Sequence, residues 1–470
     1  MLGSLISKDI KLDRLLAILV LAVLAWAFLD PVPGLSIKAF HMLIIFIASM
    51  TGIMLEVCPA VTFLLLMMLF ANLTGTIEAK DGFSGFCNIV PWLLFLVLSL
   101  TTAITKTTLG MRLAYIFMKY FGRGITGLSY SIILTEFFVA PVLPSNTARA
   151  ASVGYPLVTS LSKYISTHVE NISEKSIGSY LSLLYSSSNA ICSATFLTAM
   201  ISNAIIIEVM TNSGINTTWL SWTGYAIIPA ILLLLIMPFA IRLFSNPQIK
   251  DLGNLRATAA KNCKNLGSLT TNEKFIIATF GIMLVMWILS DQIGIPVFVT
   301  TLMGVCVFLL FGILDIKDML SNRSTFNSVI MLGILISFVN CLSSLGVISW
   351  FTNIIGSLIS GFDSKIAFLA LSVIYFFTHY FFTGEGSRII ALYAAFLATG
   401  LALDIDKIAV AMTLAVFSSM SSVLTNYSGP VAITMSSAGF VSPKKWSFCG
   451  FILSLLIMTV WLSYIFIFGV

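Results

Sequence analysis

The amino-acid sequence predicts an all-α polytopic membrane protein with about 11 transmembrane helices and two re-entrant hairpins. Three observations support this prediction. Of the 470 residues, 58% are apolar and only 9% are charged, whereas about 25% are charged in a typical soluble domain. Lysine and arginine are concentrated in alternate loops, and two interrupted apolar segments resemble each other. A water-soluble fold is therefore excluded.

Apolar windows of about 19 residues predict the crossings. The first is expected to remain as an N-terminal transmembrane helix within residues 1–37. The longest polar stretch, about 30 residues around 242–274, is too short for a soluble domain. The predicted crossings are 14–30, 38–57, 59–77, 88–106, 178–209, 219–243, 274–290, 295–314, 326–346, 407–437 and 443–469.

Two further apolar regions are interrupted. The first hairpin, residues 124–158, is broken by Pro144, and the second hairpin, residues 364–400, is broken by Gly384 and Gly386. Proline and glycine disfavour a continuous helix, so each region is predicted to return to the side from which it entered. Amphipathic segments precede both hairpins and are expected to lie at the membrane surface. These segments are 107–122 and 347–361.

Lysine and arginine predict the orientation, because cytoplasmic loops carry an excess of both. If both hairpins are re-entrant, 19 of the 25 basic residues fall on one side and four on the other. The last two, Arg149 and Arg388, lie inside the hairpins. The N-terminus is therefore predicted to be cytoplasmic and the C-terminus to be outside. Because these loops account for the net charge of +6, no nucleic-acid partner is expected.

The two hairpins are similar in sequence, which predicts an internal repeat. Thr-Glu-Phe-Phe at 135–138 leads to Ser-Asn-Thr-Ala-Arg at 145–149, and Thr-His-Tyr-Phe at 378–381 leads to Gly-Glu-Gly-Ser-Arg at 384–388. Each repeat contains five crossings and one hairpin, and this odd number makes the repeats inverted. Secondary transporters are often built in this way, with the substrate bound where broken helices meet.

The repeat divides the chain into four predicted segments. They are the first helix at 1–37, the first inverted repeat at 38–243, a cytoplasmic linker at 244–273 and the second inverted repeat at 274–470. Each repeat is predicted to contain scaffold helices, a hairpin and a broken helix. The predicted broken helices are 178–209 and 407–437.

Irregular backbone at membrane depth is found where protein, water or a ligand supplies hydrogen-bond partners. The first tip, residues 144–149, contains Pro144-Ser145-Asn146-Thr147. It offers N–H donors to an anion, together with hydroxyl and amide oxygens that suit a small cation such as Na⁺. This segment is therefore a candidate site for both an anion and a coupling ion.

Ionisable side chains at membrane depth are costly and are functional candidates. Four occur here: Glu136, Arg149, Glu385 and Arg388. Each arginine is predicted to bind a substrate carboxylate, which a guanidinium does in a bidentate manner, to pair with Glu136 or Glu385, or to extend its charged end to the membrane interface. Glu385, in the second tip (residues 384–388), has three open roles: it neutralises an arginine, carries a coupling proton or binds a cation.

The helices that follow the hairpins are rich in serine, threonine and asparagine. The enriched segments are 182–203 and 418–437. Such residues also join helices by hydrogen bonds in a membrane. Their recurrence after each hairpin favours a role in lining the site. His379, the counterpart of Glu136, is expected to pack within its hairpin rather than to relay protons.

Several segments together resemble the divalent anion/sodium symporter family. They are Pro-Ser-Asn-Thr-Ala-Arg at 144–149, Thr-His-Tyr-Phe-Phe at 378–382, Ala-Leu-Tyr-Ala at 391–394, Gly-Pro at 429–430 and Ser-Ala-Gly at 437–439. The chain is most similar to the bacterial citrate/succinate and 2-oxoglutarate/malate exchangers of that family. The resemblance covers essentially the whole chain.

The resemblance implies a homodimer in the bacterial inner membrane, with a scaffold domain and a transport domain that moves like an elevator. It implies that Ser145, Asn146 and Thr147 bind a substrate carboxylate and, in sodium-coupled members, Na⁺ at the first tip. The other expected substrate-binding residues are Arg149, Gly384, Gly386, Ser387, Arg388, Ser428, Gly429 and Pro430. The residues expected to bind a cation or to couple are Ser145, Asn146, Asn189, Thr198, Asn203, Glu385 and Thr425.

This sequence departs from the family pattern at the second tip. Symporters of the family repeat Ser-Asn-Thr there and exchangers keep Ser-x-Thr, whereas this chain has Gly384-Glu385-Gly386. Two hydroxyl ligands are lost and a carboxylate is gained, which favours exchange, or an unusual coupling ion, over two-sodium symport. A carboxylate beside an anion site also repels the substrate unless an arginine or a proton offsets it.

The leading hypothesis is a secondary carrier that exchanges di- or tricarboxylates such as malate, succinate, 2-oxoglutarate or citrate. The alternatives are a Na⁺-coupled dicarboxylate symporter and a sulfate-type inorganic-anion carrier. An enzyme is not expected, because the sequence lacks a catalytic Asp pair, a Ser/His dyad and an H-E-x-x-H helix. The inverted halves disfavour a channel. The expected partners are the carboxylate, membrane lipid and a second copy, with no cofactor except a coupling Na⁺ or H⁺.

Overall fold

The structure, a computed structural model, is built of helices. It describes residues 10–468 except for 56, 246, 248, 250, 251 and 360. No β-strand occurs within this part of the chain, and the predicted all-α polytopic class is confirmed. The α-helices are Leu12–Phe28, Ile37–Met54, Ala60–Leu73, Ala79–Gly82, Ile89–Thr105, Leu109–Phe121, Ile125–Val139, Asn146–Arg149, Tyr155–His168, Glu174–Thr195, Ser202–Asn212, Trp219–Arg242, Leu255–Asn265, Thr271–Ile288, Ser290–Ile293, Val297–Leu310, Ile316–Ser321, Arg323–Ser344, Val347–Ile359, Ser364–Phe377, Glu385–Arg388, Ala394–Gly400, Lys407–Met420, Pro430–Ser436 and Pro443–Phe468.

Five helices in the described residues are long and apolar enough to cross a membrane. They are Trp219–Arg242, Thr271–Ile288, Thr325–Ser344, Ser364–Phe381 and Pro443–Phe468. The pair Ile89–Thr105 and Leu109–Phe121, bent by 61°, is a sixth candidate. Other apolar helices are shorter, so the count of about 11 crossings stays a prediction. Ser364–Phe381 could span by length alone, although the sequence predicts a re-entrant arm there.

The chain divides into two compact units, each assembled from separate segments. Unit 1 contains Met1–Phe95, Asn322–Leu371 and Gly386–Ile405. Unit 2 contains Leu96–Ser321, Ser372–Glu385 and Asp406–Val470. Each unit draws on both predicted repeats, so this division differs from the linear one suggested by the sequence. The predicted segment boundaries stay predictions.

Unit 1 is built around helix Arg323–Ser344, which packs against Ile37–Met54 and Ala60–Leu73. The short turn Ser84–Cys87 also lies against it. There Gly85 N donates a hydrogen bond to Ser337 Oγ over 2.8 Å. A Cβ at Gly85 would overlap the backbone of the facing helix. Glycine therefore permits this close approach.

The first broken helix consists of Glu174–Thr195 and Ser202–Asn212, separated by residues 196–201. The second broken helix consists of Lys407–Met420 and Pro430–Ser436. Both begin at a polar cap, as isolated helix N–H groups require. Ser173 Oγ accepts from Ser176 N over 3.2 Å, and Asp406 Oδ1 accepts from Ala409 N over 2.8 Å. The second broken helix resumes at Gly429-Pro430, where proline suits the first helical position.

The two broken helices form the centre of unit 2. Every residue from 177 to 195 is buried, and so is every residue from 409 to 420. Ser419 Oγ donates to Ala190 O over 2.9 Å and so joins the two helices. A membrane helix that is buried on all sides faces protein rather than lipid. The serine- and threonine-rich segments therefore line the interior of this unit.

The chain takes the same local course after both tips. A four-residue α-helical turn ending in arginine is followed by a five-residue π-helical turn and then by an α-helix. These elements are Asn146–Arg149, Ala150–Gly154 and Tyr155–His168 after the first tip, and Glu385–Arg388, Ile389–Tyr393 and Ala394–Gly400 after the second. Because π-turns are rare, this recurrence is a structural likeness between the hairpins. Their inverted orientation stays a prediction.

The linker between the predicted repeats contains a helix, Leu255–Asn265, which packs along Leu109–Phe121. Arg112 Nη1 donates to Gly267 O over 2.7 Å, and Arg112 Nη2 lies 3.6 Å from Glu273 Oε2. The predicted surface segment 107–122 is therefore a helix held by the linker.

The bend before Leu109–Phe121 has its own ion pair. Lys106 Nζ lies 2.6 Å from Asp318 Oδ1. This hydrogen bond holds the pKa of Asp318 below its ordinary value. The carboxylate therefore keeps its charge across the neutral pH range and stabilises the bend.

Candidate substrate-binding site

Four side chains form a closed ring of hydrogen bonds beneath the first tip. Arg149 Nε donates to Glu136 Oε1 over 2.6 Å, and Arg149 Nη2 donates to Ser193 Oγ over 2.8 Å. Ser193 Oγ donates to Asn189 Oδ1 over 3.4 Å, and Asn189 Nδ2 donates to Glu136 Oε1 over 2.8 Å. Tyr185 OH donates to the second carboxylate oxygen over 2.8 Å. This hydrogen-bond ring joins the first hairpin to the first broken helix.

Arg149 also binds backbone carbonyls on both sides of the ring. Its Nη1 donates to Leu143 O over 2.7 Å and to Ala199 O over 2.6 Å. The side chain is 0% exposed, and these bonds use four of the five N–H groups that a guanidinium has. Of the two roles that the sequence leaves open for Arg149, the structure shows internal pairing with Glu136. A contact of Arg149 with a substrate stays a prediction.

Asn203 satisfies the carbonyls at the break in the first broken helix. Its Nδ2 lies 3.0 Å from Ser193 O, 3.2 Å from Phe196 O and 3.2 Å from Leu197 O. Within the described residues, its buried Oδ1 has no hydrogen-bond partner. Thr198 Oγ1 donates to Pro141 O over 3.1 Å. The break is therefore closed mainly by side-chain donors of the protein.

The first tip is stabilised by its own side chains. Ser145 Oγ accepts from Ala148 N over 3.2 Å, which caps the short helix that follows. Asn146 Oδ1 accepts from Thr147 N over 2.9 Å. Asn189 Nδ2 lies 3.5 Å from Asn146 O. Ser145 and Asn146 are more than nine-tenths buried, so the structure brings Ser145, Asn146, Arg149 and Asn189 together.

A second polar cluster lies at the break in the second broken helix. His379 Nε2 donates to Ser428 O, and His379 Nδ1 lies 2.8 Å from Ser421 Oγ. Thr425 Oγ1 and Ser428 Oγ are 2.6 Å apart. His379 is 0% exposed. The histidine therefore joins the second hairpin to this break, and its expected role in packing within the hairpin stays a prediction.

Glu385 lies against Gly429 at the same break. A Cβ at Gly429 would be 2.6 Å from Glu385 Oε1 and 2.9 Å from Oε2, so a larger residue at this position would require the carboxylate to shift. Glu385 is 5% exposed. The helix Pro430–Ser436, which begins at the next residue, contacts Asn146–Arg149. The first tip, the second break and Glu385 therefore meet within unit 2.

The remaining candidates are placed differently. Gly386, Ser387 and Arg388 belong to unit 1, and Arg388 is fully buried. Their part in the site stays a prediction. The sequence interpretation missed Tyr185, which is a partner of Glu136. Its signal was a tyrosine within a segment of small polar residues.

A polytopic bundle in which buried, polar, broken helices meet defines a class of protein, the membrane transporters. The chain belongs to the sodium:sulfate symporter family. The family model "Sodium:sulfate symporter transmembrane region" matches residues 11–470. The resemblance found in the sequence is thereby confirmed.

Curated relatives cover most of the chain. "Putative malate transporter YflS" of Bacillus subtilis is 33% identical, over 96% of this chain and 95% of the relative. "Dicarboxylate transporter 2, chloroplastic" of Spinacia oleracea is 31% identical, over 92% of this chain and 78% of the relative. "L-tartrate/succinate antiporter" of Escherichia coli is 30% identical, over 91% of this chain and 92% of the relative.

Two solved structures share the fold. MtrF of Neisseria gonorrhoeae has a TM-score of 0.56 at 10% identity and covers 98% of this chain and 95% of its own. The YdaH transporter of Alcanivorax borkumensis has a TM-score of 0.53 at 13% identity and covers 86% of this chain and 89% of its own. At such low identity the likeness concerns the fold alone.

Proposed function

We propose that this chain is a secondary active transporter that exchanges di- or tricarboxylates across a bacterial inner membrane. The substrates are of the malate, succinate, 2-oxoglutarate or citrate type. The observation that carries the proposal is the meeting of the first tip with the second break in a buried, polar site. The names of the relatives, which are malate, dicarboxylate and tartrate/succinate carriers, support the same substrate class.

Exchange is favoured over sodium symport because the carbonyl groups at the first break already accept hydrogen bonds from side chains. Carbonyl groups freed by an unwound helix are the usual ligands of Na⁺ in such carriers. Here Leu143 O and Ala199 O accept from Arg149, and the carbonyls around residue 196 accept from Asn203. A buried guanidinium thus uses carbonyl groups of the kind that bind Na⁺ in sodium-coupled carriers. One relative is itself named an antiporter.

The transport mechanism that we propose is alternating access of the elevator type. Asn146 and Glu385 both belong to unit 2, whereas the predicted binding residues 386–388 belong to unit 1. Movement of unit 2 as one compact body then carries a substrate that is bound at the first tip. We propose that the working assembly is a homodimer, as the family resemblance implies.

Counterflow in proteoliposomes tests the proposal. Vesicles loaded with an unlabelled dicarboxylate should take up labelled malate or succinate much faster than empty vesicles. Replacing Na⁺ by K⁺ should leave this rate unchanged, because the Arg149 guanidinium already supplies a positive charge at the first break. The absence of counterflow for every C4 to C6 carboxylate, in either salt, would refute the proposal.

The same vesicles distinguish the alternatives. Uptake into empty vesicles that requires a Na⁺ gradient would identify a symporter. Competition by sulfate that exceeds competition by carboxylates would identify an inorganic-anion carrier. Asn146→Ala should abolish carboxylate exchange, whereas Asn265→Ala, at the exposed end of the linker helix, is the matched control.

A further inference from the structure

The ends of four helices of unit 2 are joined by two basic side chains, on the side that is predicted to be cytoplasmic. The helices are Ile125–Val139, Glu174–Thr195, Trp219–Arg242 and Pro443–Phe468. Lys445 Nζ donates to Ser179 Oγ over 3.0 Å and to Ser245 Oγ over 2.6 Å. Arg242 Nη2 donates to Thr126 Oγ1 over 2.6 Å. Two positive charges are therefore bound by neutral hydroxyl groups.

These two basic side chains lack acidic partners. In the part of the chain that the structure describes, neither Arg242 nor Lys445 forms an ion pair. The buried Nε of Arg242 has no hydrogen-bond partner there either. Hydrogen bonds from a guanidinium or an ammonium to an anion are about twice as strong as bonds between neutral groups. An anion is therefore the ligand that would bind these two side chains most strongly.

The helix that carries Lys445 adds to the positive potential. Its first turn contains Lys444 and Lys445 and no acidic residue. The N-terminal end of a helix carries a partial positive charge, which favours acidic side chains and disfavours basic ones. An external anion beside this end would offset the charge of both lysines and of the helix end.

An exposed apolar surface adjoins the two cations. The Cζ of Arg242 lies 5.7 Å from the ring centroid of Phe239, which is exposed. Leu243 is 81% exposed, and Phe448, three residues after Lys445, is 60% exposed. The two helices that carry these residues pack against each other. Positive charge at the end of a lipid-facing apolar surface is the pattern that binds the headgroups of anionic lipids.

We propose that this surface, formed by Arg242, Lys445, Phe239 and Phe448, binds an anionic phospholipid. The guanidinium and the ammonium bind the phosphate, and the acyl chains lie along the two phenylalanine rings. A free phosphate ion would use the two cations but would leave the apolar part of the surface without a ligand. Because the headgroup contacts the ends of several helices, the bound lipid stabilises unit 2. This inference goes beyond the proposed function and does not depend on which substrate is carried.

Native mass spectrometry of the full chain in a neutral detergent tests the inference by counting bound lipids. The wild type should bind phosphatidylglycerol more tightly than phosphatidylcholine. Arg242→Gln and Lys445→Gln should each weaken the binding of phosphatidylglycerol about fivefold, the effect of one basic residue beside an anionic lipid. Lys445→Arg keeps the charge and should bind as the wild type does.

Lys264→Gln is the matched control. Lys264 is exposed on the linker helix and is also predicted to be cytoplasmic. Its replacement removes the same charge from the same side of the protein, so it should leave the binding of phosphatidylglycerol unchanged. An equal loss of binding in Lys264→Gln and Lys445→Gln would show that only the total charge matters, and would overturn the inference.

Thermal unfolding of the wild type gives a second readout, which needs no variant to fold. A ligand that binds the native state raises its Tm. Phosphatidylglycerol should therefore raise the Tm by several degrees, whereas phosphatidylcholine and inorganic phosphate should not. Equal stabilisation by phosphatidylcholine would overturn the selectivity for an anionic lipid. Equal stabilisation by inorganic phosphate would identify a free oxyanion as the ligand and would overturn the assignment to a lipid.

Both measurements are made without transport. A failure of carboxylate counterflow would overturn the proposed function and leave the lipid site intact. Unchanged binding of phosphatidylglycerol in the Arg242→Gln and Lys445→Gln variants would overturn the lipid site and leave the proposed function intact.

Discussion

Glu136 and Arg149 are opposite charges placed together in a region where single charges are costly. Their side chains are 1% and 0% exposed. Burying an ion pair is unfavourable unless its remaining donors and acceptors are also satisfied. The hydrogen-bond ring and the carbonyls of Leu143 and Ala199 meet that condition. The pair therefore fixes the hairpin against the first broken helix.

Removing the negative partner should destabilise the protein strongly. Glu136→Gln leaves the Arg149 guanidinium buried without a counter-charge, and the free energy of unfolding should fall by about 3–5 kcal/mol. Chemical unfolding in detergent measures this change. Glu78→Gln is the matched control, because Glu78 and Lys80 are an exposed pair at 3.0 Å and such pairs contribute little. Equal stability of the two variants would contradict the structural role of the buried pair.

The sequence identified the charged candidates but did not determine their partners. The scarcity of charge in an apolar chain makes Glu136, Arg149 and Glu385 visible. The pairing of Arg149 with Glu136 spans 13 residues across a turn, and its bond to Ala199 O spans 50. The contact of Glu385 with Gly429 likewise depends on how the second hairpin packs. Such contacts are set by tertiary structure and have no local pattern.

At the level of elements, the two broken helices differ in how their breaks arise. The second break ends in Gly429-Pro430, which is a local signal that the sequence provides. The first break, residues 196–201, contains neither glycine nor proline. It is stabilised from outside, by Asn203 and Arg149. The position of the second break was therefore predictable, and the exact ends of the first were not.

Asn203→Ala tests whether side-chain donors maintain the first break. The change removes the donor near three carbonyls in a buried site, so the free energy of unfolding should fall by about 1–3 kcal/mol. Carboxylate exchange should fall as well, because the break orders the residues below the first tip. Thermal unfolding and counterflow measure the two effects.

The control for this variant lies on the same helical segment. Asn212 is exposed, and among the residues that the structure describes its side chain bonds only to Glu208, over 3.3 Å. Asn212→Ala should therefore leave stability and exchange near wild-type values. If the two alanine variants behave alike, the break does not depend on Asn203.

For the whole molecule, composition and motifs predicted the fold class and the family, because the apolar composition and the family motifs occur along the whole chain. The division into two compact units was not predictable. Each unit combines segments from both halves of the sequence, and only the packing reveals which segments belong together. The number of membrane crossings was predictable in part. Long helices such as Pro443–Phe468 are distinct in the sequence, whereas Ala60–Leu73 is short for a crossing.

The predicted orientation can be tested with two native cysteines. Cys87 is exposed beside a predicted outer loop, and Cys263 lies on the linker helix among lysines that are predicted to be cytoplasmic. In variants that retain only one of them, a membrane-impermeant maleimide should label Cys87 on intact cells and Cys263 only after permeabilisation. The excess of basic residues near Cys263 is the physical reason. The reverse pattern would contradict the assigned orientation.

The hydrogen bond from Ser419 to Ala190 O joins the two broken helices inside one compact unit. If that unit moves as a body during exchange, the spacing between Asn146 and Glu385 stays constant throughout the cycle. The distance between Asn146 and Glu385 then limits the length of the substrate in the same way on both sides of the membrane. Outward and inward transport would share one size limit, so a molecule that is too long to be imported would be too long to be exported.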